Sequence, residues 1–251
     1  MENMLLENIL KMEIAWILPI MVIVGYIFLM ILLPKLKSSS SPEKEDEKRK
    51  EADWKKSAIS EFVFYGVIIT VFVLFSIFLT NDPHKYMGFP TSLKGAAFNF
   101  GIGGLIGLSL WTLYYNIPSI WKLEREKVKK ICEPVPGPKK TQKYWLPISI
   151  LLGAYWEEIM FRGALIAVPA ALLTFPYDLW IIFILVTSFF VYHHIVTQGP
   201  QRWERKIDII KGICISFALG LIFVWRWSII AAGAFHFMTN LIPWAIYYTH
   251  E

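Results

Sequence analysis

The chain is expected to fold as an all-α, polytopic membrane helix bundle of about seven transmembrane helices, with eight as the alternative count. Three observations lead there. Apolar residues make up 55% of the 251 positions and charged residues 18%, and mean hydropathy is +0.47, a balance typical of membrane proteins. Apolar runs of roughly 20 residues, the length that crosses a bilayer, recur along the chain. The basic residues between these runs fall mostly on alternate connections, which is the positive-inside pattern.

The expected spans are residues 14–33, 59–80, 95–116, 146–172, 179–198, 209–225 and 229–248. The first follows an acidic leader and has no small-residue cleavage site, so it is expected to stay in place as an anchor. In the third, Gly101, Gly103, Gly104 and Gly107 form a small-residue face suited to close helix packing. Internal packing is the favoured use of that face, and a homodimer through the same helix is the alternative. The fourth span is long, and Pro169 predicts a tilt or an early end because proline lacks a backbone donor.

Between the spans, residues 38–56 run from serines into mixed Glu and Lys, the composition of a solvated linker. Glu133-Pro-Val-Pro-Gly-Pro-Lys-Lys140 is a stiff loop. The chain thus divides into an N-terminal anchor and charged cytoplasmic linker (1–58), two helices and a basic loop (59–143), and motif-bearing helices (144–251), all in one membrane domain. No internal repeat is visible.

Charge sets the orientation. Twenty basic residues lie in 34–58, 117–145 and the connection after the fifth span, whereas only Lys11, Lys85, Lys94 and Arg226 lie on the opposite side. This asymmetry puts the N-terminus outside and the C-terminus in the cytoplasm of an integral protein of the cell membrane. Eleven Trp and eleven Tyr suit an interfacial aromatic belt. The net charge of +5 is too small and too confined to loops to suggest nucleic acid, and fits attraction to anionic lipid headgroups. Cys132 and Cys214 sit in a basic loop and an apolar segment, so neither a disulfide nor a cysteine metal site is expected.

Against this apolar background, three polar groups stand out. Ionisable side chains inside a membrane are costly and mark functional interiors by default. Glu158 and Arg162 are four residues apart and can pair on one helix face, whereas Glu157 points about 100° away. One carboxylate is thereby neutralised while its neighbour stays partly desolvated, which suits Glu157 to accept a proton near neutral pH. The bland alternative is a structural ion pair beside a protonated glutamic acid. The second group offers two frames, Phe189 to His193 and Phe190 to His194. The stripe through His194 also holds Thr187, Thr197 and Gln198, which favours His194 as the inward imidazole. A lone membrane histidine is otherwise a packing residue. In the third group His236 and Asn240 share a face and could donate two hydrogen bonds to an oxyanion, or serve as interhelical glue.

Glu157-Glu158-x-x-x-Arg162, Phe-x-x-x-His and His236-x-x-x-Asn240 together resemble the CPBP (Abi) family of intramembrane proteases. That family includes type II CAAX prenyl endopeptidases and bacteriocin-processing or immunity proteins. The resemblance covers residues 145–245, with Phe161-Arg162-Gly163 and Gly220-Leu221-Ile222-Phe223 as flanking text. It implies a cofactor-free endopeptidase acting on a membrane-associated or lipidated protein or peptide. In it Glu157 would activate water with the help of His194 or His193, Glu158 and Arg162 would hold the geometry, and His236 and Asn240 would stabilise the oxyanion. The doubled histidine departs from the family pattern and leaves that position open by one residue.

Other chemistries fit less well. There is no His-Glu-x-x-His, Gly107-Leu108-Ser109-Leu110 breaks the Gly-x-Ser-Gly of rhomboid-type enzymes, and Tyr177-Asp178 lacks a Gly-x-Gly-Asp partner. Zinc on two histidines and a glutamate is the main mechanistic rival. A proton-coupled transporter and a non-catalytic scaffold or immunity protein are the functional rivals; the lack of repeats and of broken helix pairs speaks against the transporter. One geometric tension stands. Glu157 lies roughly 15 Å along its helix from Pro147 at about 1.5 Å per residue, whereas His194 lies near the end of its own span.

Overall fold

The structure, a computed structural model, describes residues 88–115, 139–172, 176–198 and 206–249, with Glu126 apart. The regular elements among the described residues are all helices, with no strand. Helix α1 runs Leu93–Tyr115. Helix α2 begins at Lys139–Glu158, continues as a π-helical segment Ile159–Ala167, and returns to α-helix over Val168–Leu172. Then follow α3 (Pro176–Gln198), α4 (Lys206–Arg226) and α5 (Ile229–Thr249). These correspond to the last five expected spans. The spans at 14–33 and 59–80 and the charged linker lie outside the described residues.

Length and composition alone qualify two stretches, Leu93–Leu113 and Asp208–Arg226, to cross a membrane. The apolar stretches of α3 and α5 are shorter, Leu179–Ile195 and Ile229–Pro243. The count of about seven spans is therefore carried by two clear cases here, because the motif-bearing helices spend part of their length on polar side chains. The outward faces are nonetheless apolar. Phe98, Leu105 and Leu113 on α1, Ile184 and Leu185 on α3, and Ile213 and Trp225 on α4 are all exposed. Water would solvate such a surface poorly and hydrocarbon would solvate it well.

Helix α5 is the hub, packing against α1, α2 and α4 and touching the π segment, while α3 packs against the π segment and α4. Helix α1 runs parallel to α5 and antiparallel to α4, as two sets of end contacts show. At one end Trp111 Nε1 of α1 donates to the Thr239 carbonyl of α5 at 3.0 Å, and Lys211 of α4 sits 4.7 Å from the centre of the Trp111 ring. At the other end Arg226 of α4 donates through Nε and Nη2 to Asn99 Oδ1 of α1, at 3.1 and 3.0 Å. The core between these ends is built from Phe161, Leu165, Phe183, Phe190, Phe223 and Phe235.

Two glycines set how closely the helices approach. A Cβ on Gly103 would overlap the Ala231 carbonyl oxygen, so α1 rests directly on the α5 backbone. A Cβ on Gly233 would reach 2.5 Å from the Tyr155 ring, whose hydroxyl donates to the Ile230 carbonyl at 3.3 Å. Part of the small-residue face on α1 is thus used inside the bundle, while Gly101 faces open space.

Pro169 does not end α2. The residues whose carbonyls the proline ring would oppose belong to the π segment just upstream, where the hydrogen bonds span five residues, as in Val168 N–H to the Gly163 carbonyl. Widened turns of this kind take up the missing donor and the bulk of the ring without breaking the helix.

Because Gly103 meets backbone and not a flexible side chain, Gly103→Leu is expected to destabilise the bundle by about 1–3 kcal/mol, the usual range for overpacking. Thermal unfolding in detergent should show a lower Tm for this variant and an unchanged one for Gly101→Leu.

Candidate active site

Glu157 and Glu158 occupy the last turn of α2 before the π segment, and their consecutive positions send them to different environments. Glu158 is fully buried and Glu157 is 24% exposed. Arg162, one turn on and also buried, donates from Nη1 to Glu158 Oε1 at 3.1 Å. Its Nη2 donates to the Ser216 carbonyl of α4 at 3.3 Å. The guanidinium carbon lies 4.1 Å from the centre of the Phe190 ring of α3, a cation–π contact strengthened by desolvation. Glu158 Oε1 also lies 2.9 Å from Nδ1 of His236 on α5. One ion pair therefore joins α2 to α3, α4 and α5.

Glu157 faces the histidines. Its Oε2 lies 3.3 Å from His194 Nε2 and 3.6 Å from His236 Nε2, and its Oε1 lies 4.0 Å from His193 Nε2. Oε2 is itself buried and has no aligned hydrogen-bond donor among the described residues. The second nitrogen of each closer imidazole is already engaged. His194 Nδ1 is 3.0 Å from the Phe190 carbonyl, an oxygen that can only accept, so Nδ1 carries the hydrogen. His236 Nδ1 meets Glu158, the partner of Arg162, and it donates in the same way. In the neutral imidazole the lone pair then sits on Nε2. Glu157 Oε2, His194 Nε2 and His236 Nε2 converge, all within 4.8 Å of one another; with both imidazoles neutral, these are three acceptors.

Of the residues expected from the sequence, the structure brings together Glu157, Glu158, Arg162, His193, His194 and His236. Asn240 lies one turn further along α5, exposed, with no hydrogen bond to this cluster among the described residues. His236 is instead seated between the two glutamates, and its carbonyl accepts from Thr239 Oγ1 at 2.8 Å. Both histidines of the doublet face Glu157, with His194 the nearer. The tension in depth is absent from the structure, where Glu157 and His194 lie 3.3 Å apart and Pro147 is inside α2. That proline is not the helix end, and α2 and α3 bring Glu157 and His194 level.

Sequence reasoning missed the Ser216 and Phe190 carbonyls as partners of Arg162 and His194, since any residue type could supply them. It also missed the π segment. The only signal for that was Pro169 in an apolar run that did not otherwise stop.

The arrangement is that of a carboxylate–imidazole site enclosed in an apolar helix bundle. Residues 140–242 match the family model described as Rce1-like, type II CAAX prenyl endopeptidase Rce1-like. This segment holds all three motifs, and the match supports the CPBP/CAAX protease family. No curated protein and no solved structure matches the chain.

Removing one partner of a buried pair leaves the other charge uncompensated. Arg162→Leu is therefore expected to lose about 3–5 kcal/mol of stability, read as a large fall in Tm in detergent. Arg162→Lys should recover only part of this, because a single ammonium cannot reproduce the planar fork that reaches Glu158 and the Ser216 carbonyl together.

Proposed function

We propose that the protein is an intramembrane endopeptidase that hydrolyses a peptide bond of a membrane-associated or lipidated protein or peptide with water activated by Glu157 and His194. The observation that carries this reading is the convergence of three acceptors on one buried point. A water molecule there gives its two hydrogens to Glu157 Oε2 and an imidazole Nε2, and turns an oxygen lone pair toward the substrate carbonyl. As the C–O bond forms, Glu157 or His194 takes the proton. As the C–N bond breaks, that proton passes to the departing amine. No covalent enzyme intermediate arises, and no step needs a cofactor.

The remaining residues hold this geometry. Glu158 and Arg162 position His236 by fixing its Nδ1–H. The exposed amide of Asn240 is the donor for the developing oxyanion; low dielectric makes such a donor effective. The fit of residues 140–242 to the CAAX endopeptidase family supports both the reaction class and a lipidated substrate. The basic connections beside α2, α3 and α4 support a site reached from the cytoplasmic side.

The experiment is cleavage of a panel of prenylated C-terminal peptides and of leader peptides by the full chain in proteoliposomes. Glu157→Gln should lower kcat by about 10²–10⁴-fold, the range of general acid–base catalysis, at unchanged Tm. His194→Gln should lose a comparable factor and His193→Gln a smaller one. Cleavage by Glu157→Gln at the parent rate would sink the proposal.

A further inference from the structure

We infer that Glu157, His194 and His236 also form a binding site for a zinc-type divalent cation, and that a bound ion blocks the carboxylate that activates water. The second clause rests on the hydrolytic reading above; the first does not. Ligand spacing is the first argument. Two atoms about 2.05 Å from a tetrahedral zinc ion are about 3.3 Å apart. Glu157 Oε2 lies 3.3 Å from His194 Nε2 and 3.6 Å from His236 Nε2, so two of the three ligand edges are already close to length, and the third is within 4.8 Å.

The second argument is the support behind each imidazole. Metal-binding histidines hold their other ring N–H on a carboxylate or a backbone carbonyl, which fixes the ring and the tautomer. Both supports are present, Glu158 behind His236 and the Phe190 carbonyl behind His194. The third is the donor set. Two imidazoles and one carboxylate suit zinc and its transition-metal neighbours, whereas calcium and magnesium take oxygen cages. Glu157 is 24% exposed, and three protein ligands leave a fourth tetrahedral position for water.

Blocking follows from the electron pairs. The lone pair on Glu157 Oε2 that would accept the proton of water is the one donated to the ion. Glu158 is no replacement, being fully buried and shared between Arg162 and His236. Occupancy by the cation and metal-free activation of water therefore exclude each other.

The test uses the full, untagged chain in detergent with Cys132→Ser and Cys214→Ser, so that thiols do not contribute. The protein is stripped with chelator and titrated with Zn²⁺ alone. One equivalent should bind, with nitrogen and oxygen but no sulfur ligands at the zinc absorption edge, and should raise Tm. Affinity should fall at least ~10-fold in Glu157→Gln and in His194→Gln, each checked for parent-like helicity, since each removes a ligand. No stoichiometric binding, or equal binding in both variants, would overturn the site. In the activity arm, stripped protein should cleave peptide and lose cleavage in proportion to bound Zn²⁺. Cleavage that instead requires Zn²⁺ would overturn the blocking role. Binding at the site with no cleavage in either state would support the metal site and overturn the hydrolytic reading alone.

Discussion

A guanidinium and a carboxylate with no route to water hold this bundle together. Burying such a pair costs several kcal/mol per ion before their attraction and extra hydrogen bonds offset it. The offset here comes from neighbours on three other helices: the Ser216 carbonyl, the Phe190 ring and the His236 imidazole. Each is correctly placed only if its helix is. Relative to a purely apolar core, the pair contributes a unique arrangement more than raw stability. Even so, Glu158 Oε2 and Arg162 Nε stay without partners among the described residues, so the network is tightly directed but not saturated.

That arrangement explains why two adjacent glutamates play opposite parts. The step of about 100° between consecutive helical residues turns Glu158 into the core and Glu157 toward the histidines. Glu158 anchors the ring of His236, and that ring then presents its free nitrogen to Glu157. The two carboxylates thus meet the same imidazole from opposite sides.

How much of this could be seen in the sequence depended on range. The pairing of Glu158 with Arg162 was legible because it is local, set by a four-residue helical spacing. So was the divergence of Glu157. The doublet could be ordered only by the polarity of its helix stripe, which pointed to His194; in the structure both rings lie beside Glu157, with His194 the nearer. Pairing His236 with Asn240 by the same spacing rule did not anticipate that His236 is drawn to Glu158, because that contact joins residues 78 apart in the chain. The backbone partners of Arg162 and His194 carry no side-chain signature. The π segment hid behind Pro169, which local rules treat as a stop. The all-helical class was legible from composition, whereas the number of spans was not, because polar motif residues shorten the apolar stretches that such a count relies on.

The apolar stretch of α3 stops at Ile195, one residue beyond the histidine doublet. For the intramembrane enzyme proposed above, this sets both rings at the border where acyl chains give way to headgroups. Bilayer thickness then becomes a variable of the chemistry. Long-chain or sterol-rich lipid would draw the rings under the hydrocarbon and starve them of water, whereas thin lipid would lift them into hydrated headgroups.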